Sequence, residues 1–434
     1  MLTTHFRQAL ALLRQDRLFS AVYVVGTGLA IALTMTLCVV VYVRIAPIYP
    51  EYNRDRMVVL KYVKCHPAGR QDTYSAAGLS PDAADLLGGL PHLADMARTC
   101  RDADDVQSNL VALPGRAQAF EAYPLYVDAG FWKVFTLHFL SGGPFTAAHL
   151  RARSRTAVVS ESMARRLFAT TDAAGRTFVY KGHAYTVSGV VRDVSSATPD
   201  AVADVWLPLP FLPMASYRDS ARGSLLGNLT YYLTAPEPAD RTMLKEEVRD
   251  AFRRYNAGRE WVADIMGQPD DAALAPLRTE PAQAPDTARM LRSLLFIVAA
   301  LLFIPALNLS GMIASRMDSR MAELGIRKAY GATRGVLLAQ ILWENLVLTA
   351  LGALLGLLFC CLIVFVSGTW ILTLLDANTM LDLPAPFLTL EMLLNPWIFL
   401  CALCLCLVLN VASALVPAWW GLRRSIVQEL YMKR

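Results

Sequence analysis

Charge is missing from four long stretches of this chain. No charged residue stands between Arg17 and Arg44, a gap of 26 residues, and the stretches Ser293–Ser315, Asn345–Leu375 and Met392–Leu422 are also uncharged. A helix of about 20 apolar residues, rising ~1.5 Å per residue, covers the ~30 Å hydrocarbon core of a bilayer. The four stretches therefore predict four transmembrane helices, and the overall balance of 55% hydrophobic to 18% charged residues agrees. A cleaved leader has an apolar core of only about 7 to 15 residues followed by small residues. Here Tyr42, Arg44 and Ile45 follow the first stretch, so it reads as a retained span.

Further absences exclude chemistry. No Gly-x-x-x-x-Gly-Lys-Ser/Thr run is present, so no phosphate-cradling loop is available for ATP. His-Glu-x-x-His and Gly-x-Ser-x-Gly are absent, and the six histidines are scattered at positions 5, 66, 92, 138, 149 and 183, which speaks against a hydrolase. Asp102, Asp104 and Asp105 lack the glycine and terminal glutamate of a calcium loop and read as a solvated turn. Basic residues form no dense patch interleaved with aromatics, so no nucleic-acid partner is expected. Apart from Glu344, no span carries an ionisable group in its central part, whereas polar pathways through a bilayer usually do. The spans read as levers and anchors.

Lys and Arg in short connections set orientation. Arg7, Arg14 and Arg17 precede the first span. Arg316, Arg320, Arg327, Lys328 and Arg334 lie between the second and third, and Arg423, Arg424, Lys433 and Arg434 follow the fourth. The connection 369–395 has neither Lys nor Arg. Both termini and the 316–334 loop are thus expected in the cytoplasm, with 46–290 and 369–395 outside.

The expected order is an amphipathic helix over 1–17 carrying Leu2, Phe6, Ala9, Leu10 and Leu13 on one face, then spans at 18–45, 291–315, 335–368 and 396–420, and a tail at 421–434. The amphipathic helix is either an interfacial element in the lipid headgroups or a continuation of the first span. Gly26, Ala30 and Thr34, four residues apart, form a small-residue stripe suited to close packing against a second copy. Gly352 and Gly356 form a shorter one.

Around Arg316–Arg334 the residues divide about a helix. Met317, Met321 and Leu324 share one side, and Glu323 and Arg327 stand at the supportive i,i+4 spacing. Gly331 is placed to end that helix in a left-handed conformation, and Thr333 to cap the next. The run Glu323-Leu-Gly-Ile-Arg-Lys-Ala-Tyr-Gly-Ala-Thr-Arg334, followed by Gln340, Glu344 and a Gly-containing span, resembles the signature of FtsX-like ABC permease domains. That resemblance implies a coupling helix in which Glu323, Leu324, Gly325, Ile326, Arg327, Lys328 and Gly331 dock on a separate cytoplasmic ATPase, which would bind the ATP. No cofactor is expected on this chain.

Thr156-Ala-Val-Val-Ser-Glu-Ser-Met-Ala-Arg-Arg-Leu-Phe168 reads as a strand entering a helix capped by Ser160. Gly175–Val191 alternates around Gly182 as a hairpin does. Together with Phe131-Trp-Lys-Val-Phe135 and Ala203-Asp-Val-Trp-Leu-Pro208, these segments resemble the MacB periplasmic core domain, with Gly142-Gly143 where that family is expected to read Gly-Arg. The fold class implied is an α-helical membrane protein with four transmembrane helices and a large α+β periplasmic domain. Within that domain a β-rich lobe, about 119–200, is inserted into a mixed α/β lobe.

Six cysteines, Cys38, Cys360, Cys361, Cys401, Cys404 and Cys406, fall in or beside spans and read as small apolar residues. Cys65 and Cys100 lie outside and are candidates for a disulfide. The function implied is a non-enzymatic permease subunit in the inner membrane, paired with an identical or sibling copy. A periplasmic adaptor and an outer-membrane channel are candidate partners, with export of peptides, antibiotics or similar compounds as the task. Lipoprotein release or control of cell-wall hydrolases is the alternative within the family. A membrane receptor with an outer ligand-binding domain is the alternative of another class.

Overall fold

The computed structural model describes residues 17–69, 75–101, 109–195, 197–212, 225–278, 280–300, 333–367, and isolated residues 303, 326, 330–331, 397, 400, 403–404 and 407–408. The amphipathic segment before Arg17, the acidic run at 102–105, the 369–395 connection and the tail lie outside them. The chain divides into two compact units: residues 1–42, 288–371 and 388–434, and residues 43–287 with 372–387.

In the first unit, two described helices are long and apolar enough to cross a bilayer, over Ser20–Val43 and Leu346–Ile363. They belong to the long helices Arg17–Ile45 and Arg334–Ser367. Residues 287–300 are also helical. The rest of the second expected span and most of the fourth fall outside the described residues.

The second unit is α+β. Its strands are β1 (Met57–Leu60), β2 (Val63–Pro67), β3 (Ser75–Leu79), β4 (Asp95–Cys100), β5 (Leu110–Ala112), β6 (Ala119–Glu121), β7 (Pro124–Val127) and β8 (Phe139–Gly142). There follow β9 (Thr156–Ser160), β10 (Thr177–Tyr180), β11 (His183–Val191), β12 (Val205–Pro208), β13 (Leu226–Gly227), β14 (Thr230–Thr234), β15 (Trp261–Asp264) and β16 (Asp270–Asp271). Twelve of them form one sheet in the order β16-β1-β14-β4-β7-β12-β9-β11-β10-β5-β6, with β8 beside β11. The other four form a small sheet, β13-β3-β2-β15. The large sheet runs without a break through both regions expected as separate lobes, and β5, which precedes 119–200, pairs with β10 of that region.

Both faces of the large sheet are covered, so its strands β1, β7 and β12 are apolar at every position and wholly buried, as a sheet without a solvent side requires. On one face the helix Arg241–Asn256 contributes Leu244, Val248, Ala251 and Phe252 to the core. On the other, Phe131, Val134 and Phe135 pack with Trp206 and Tyr232. Local expectations hold here. The Ser160 side chain accepts a hydrogen bond from the Met163 amide at the start of the helix Glu161–Phe168. Strands β10 and β11 form an antiparallel hairpin in which Tyr180 pairs with His183. Its two turn residues, Lys181 and Gly182, have φ of 47° and 75°, as a two-residue turn of the primed type demands.

Cys65 and Cys100 are both buried thiols and form no disulfide. The candidate bridge is thereby corrected. Cys65 lies on β2 of the small sheet and Cys100 on β4 of the large one, and the Cys100 thiol donates to the Arg101 carbonyl at 3.5 Å.

Two tests of this fold follow from local geometry. A side chain at Gly130 would run into the Met96 carbonyl, whereas one at Gly143 meets nothing within 4 Å. Gly130→Ala is expected to destabilise the domain by about 1–3 kcal/mol and Gly143→Ala to leave it unchanged, as read by denaturant unfolding of the full chain. His92 donates through Nδ1 to Glu247 Oε1 at 2.5 Å, and this bond holds the imidazole pKa above its ordinary value. A raised folded-state value means that the bond's contribution is fully present below the unfolded pKa of about 6.5. It is lost as pH rises through the folded value. The stability gap between wild type and His92→Gln should therefore shrink with rising pH, and a gap constant from pH 5 to 9 would refute the assignment.

Candidate functional site

Two places bear on function: the crossing of the two long helices, and the turn that leads into the second of them.

In the crossing, glycine lets backbones approach. A Cβ at Gly28 would stand 3.0 Å from the Gly352 carbonyl and 3.4 Å from the Gly356 amide. One at Gly352 would press on Thr27 at 3.0 Å, and one at Gly356 would approach the Gly28 carbonyl at 2.8 Å. Ile31, Ala32, Met35, Ala353 and Cys360 fill the space alongside. Hydroxyls add short polar links: Tyr23 Oη lies 3.4 Å from Thr349 Oγ1, and Thr36 Oγ1, which donates to the Ala32 carbonyl, lies 3.5 Å from the Cys360 sulfur. The sulfur sits at a helix–helix contact as a small apolar group.

The three residues of the expected dimer stripe, Gly26, Ala30 and Thr34, are placed unequally within the single chain. Ala30 is 8% exposed and Thr34 fully buried inside a single chain, where the Thr34 hydroxyl donates to the Ala30 carbonyl of its own helix. Gly26 alone of the three is exposed, and a Cβ added there would meet nothing within 4 Å. Small residues at four-residue spacing mark a close helix contact, but here that contact is made by Gly28 with Gly352 and Gly356. Gly28, two positions along the helix from Gly26, was legible as a candidate only by its type.

At the turn into the second long helix, Gly331 has φ +89°, and the Tyr330 amide donates to the Ile326 carbonyl at 3.0 Å. This is a helical turn closed by a left-handed glycine. The Leu337 amide then donates to the Thr333 carbonyl at 3.2 Å, opening the helix that begins at Arg334. Ile326 is 60% exposed and Tyr330 89%. Glu323, Leu324, Gly325, Arg327 and Lys328 lie outside the described residues. Among the described residues, no His/Cys/Asp/Glu group capable of holding a metal ion occurs.

In the outer domain, Gly142 has φ +65° and a side chain there would collide with the Ser188 carbonyl, while Gly143 is open. The departure from an expected Gly-Arg pair thus falls at the position that accepts any residue.

The family comparison decides what these parts belong to. Residues 20–251 match the MacB-like periplasmic core domain, and residues 295–426 match the FtsX-like permease C-terminal domain. The chain belongs to the MacB/FtsX-type ABC transporter permeases. Among similar proteins of this family is the uncharacterized ABC transporter permease YknZ of Bacillus subtilis, 25% identical over 53% of this chain and 54% of its own length. The pyoverdine export ATP-binding/permease protein PvdT of Pseudomonas aeruginosa is 25% identical over 55% of this chain and 34% of its own. The macrolide export ATP-binding/permease protein MacB of Neisseria meningitidis is 21% identical over 53% and 33%. The match thus spans about half, or a third, of these relatives. Similar solved structures include a domain of a permease from Porphyromonas gingivalis (TM-score 0.35, 18% identity, 56% of this chain and 99% of that one). Another is the periplasmic region of MacB from Actinobacillus actinomycetemcomitans (TM-score 0.34, 13% identity, 48% and 88%). As a MacB/FtsX-type permease, the chain is a membrane component with a periplasmic domain.

The crossing gives a discriminating prediction. Gly28→Leu or Gly356→Leu should force the helices apart and cost about 1–3 kcal/mol, seen as a lower melting temperature of the purified protein in detergent. Gly26→Leu should leave the melting temperature within error.

Proposed function

We propose that this permease transmits ATP-driven motion from a separate cytoplasmic ATPase to its periplasmic domain, in the service of export. The observation that carries the reading is the turn at Ile326–Gly331. A left-handed glycine follows a turn closed by the Tyr330–Ile326 hydrogen bond, within the Glu323–Arg334 run that resembles the family's coupling helix, and Ile326 and Tyr330 stand exposed beside it. An exposed apolar pair within a basic bend suits a protein partner.

The charge pattern supports an orientation in which this bend, the N-terminus and the C-terminus face the cytoplasm. With no phosphate-binding loop in the sequence, nucleotide chemistry falls to the partner, and this chain is read as non-enzymatic and free of cofactors. ATP-driven approach of two ATPases would draw the coupling segments of two permease copies together, and the long helices would carry that displacement outward. Uncharged spans favour this mechanical role over a polar conduit between helices. Relatives named for export of pyoverdine and of macrolides favour peptides, antibiotics or similar compounds as cargo. A periplasmic adaptor and an outer-membrane channel would then complete the exit path.

Purification of the tagged full chain from its native membranes should recover an ABC ATPase. Recovery should fall at least tenfold, equivalent to about 1.4 kcal/mol of binding, when Glu323→Lys and Arg327→Glu are combined. Retention of the ATPase by that variant would remove this segment from the docking surface. Recovery of no ATPase by the wild type would overturn the reading.

A further inference from the structure

Two buried arginines in the outer domain hold the chain at the places where it arrives from and departs toward apolar helices. Arg54 is 3% exposed. Its Nε and Nη2 donate to Glu51 Oε2 at 2.9 and 2.7 Å, while Nη1 donates to the carbonyls of Val43 and Ala46 at 3.0 and 2.9 Å. Those carbonyls end the helix Arg17–Ile45, where the last carbonyls have no partner within the helix. Arg278 is also 3% exposed. Its Nε and Nη2 donate to the two oxygens of Asp270 at 2.6 and 2.9 Å, while Nη1 donates to the carbonyls of Pro281 and Gln283, each at 2.9 Å. Helical residues begin four positions further on, at 287.

The division of donors is the same in both. One side of the guanidinium takes a carboxylate and the remaining nitrogen takes the chain at an exit, with Arg278 Nη1 also donating to the Met266 carbonyl at 3.3 Å. Only arginine presents donors in a rigid fork that serves both at once; lysine has a single nitrogen. All these residues belong to the compact unit that spans Val43–Thr287.

The two clamps also converge on neighbouring strands. Glu51 and Arg54 lead into β1, Asp270 lies on β16, and these strands pair with Val59 opposite Asp270. Gln268, fully buried, accepts from the Lys61 amide at 2.8 Å and donates to the Tyr62 carbonyl at 2.7 Å, joining the end of β1 to the start of β16. Around the arriving segment, the Thr136 amide donates to the Pro50 carbonyl at 2.9 Å and the Asn53 side chain to the Val134 carbonyl at 2.8 Å.

A buried ion pair is a poor source of stability compared with apolar packing of the same volume. Glu51 illustrates the cost: its Oε1 is buried without a partner, and burial pushes its carboxyl pKa up, opposed by Arg54. Placing such a pair at each exit makes sense as a means of fixing chain geometry. We propose that Arg54 and Arg278 are a matched pair of anchor residues that lock the arriving and departing chain to the adjacent strands β1 and β16, so that displacement of either segment reaches the large sheet. This use of the anchors rests on the mechanical reading given above.

Hydrogen exchange read by mass spectrometry on the full chain in nanodiscs tests it. Arg54→Met strands a buried carboxylate and risks unfolding, so the paired variants Glu51→Met with Arg54→Met, and Asp270→Met with Arg278→Met, carry the test. Each should keep β9 and β11 at wild-type exchange while speeding exchange at least tenfold, about 1.4 kcal/mol, in its own segment, 43–50 or 280–287. Arg54→Lys should fail to restore slow exchange in 43–50. Unchanged exchange in those segments, or an equal rise in β9 and β11, would overturn the proposal. With the partner ATPase present, ATP should alter exchange in β1 and β16 of the wild type and not of the paired variants; a response persisting in both would also overturn it. A wild type that shows no response to ATP would sink the mechanical reading, while the segment exchange still decides whether the anchors exist.

Discussion

Val58 and Leu60 face one apolar layer of the outer domain while Met57 and Val59 face the other, so strand β1 has no solvent side. The same holds for β7 and β12. Covering both faces of so long a sheet takes helices on each, and the chain supplies Arg241–Asn256 for one and Phe131–Val134 for the other. Fully burying a large aliphatic or aromatic side chain is worth about 1.5–3 kcal/mol, which is why Trp206, Phe131 and Phe135 fix these layers in place. Charged groups inside such a structure must be paired. That requirement makes the buried arginines informative, because each one had to find specific partners.

Continuity of the sheet alters how the domain is to be understood. Strands contributed by 119–191 and strands outside that range share one hydrogen-bonded ladder, through β12 with β9 and β7 and through β5 with β10. A displacement applied at β1 or β16 therefore meets a hydrogen-bonded surface. Packed interiors deform little and pass strain on.

Much of this was readable beforehand, and the residues show why. Ser160 is followed by a helical run whose third residue supplies the amide to be capped, and Lys181-Gly182 sits between alternating segments; both are local patterns, complete within a dozen residues. The two apolar helices over Ser20–Val43 and Leu346–Ile363 are legible for the same reason. Partner choice was not legible. Gly26, Ala30 and Thr34 have the right spacing for close packing, yet spacing cannot say which helix arrives, and Gly28 faces Gly352 and Gly356 instead. Cys65 and Cys100 are both outside the spans, but only the topology shows that they belong to different sheets. Arg54 and Glu51 stand three residues apart, a weak hint, whereas Arg278 and its backbone partners carry no pattern at all.

The polar groups of the long helices complete the physical picture. Thr34 and Thr36 donate to carbonyls four residues back in their own helix, so these hydroxyls are spent on the backbone and offer nothing to a solute. Ser20 and Thr27 have buried hydroxyls without partners, and the Cβ and methyl of Thr27 would be the first contacts of any side chain added at Gly352. A pair of helices whose backbones touch through three glycines has little freedom to slide or part without losing close contact along the crossing. Such a pair moves as one body more readily than it opens a path. A permease whose task is to carry displacement across the bilayer, leaving cargo on the far side, would need that property.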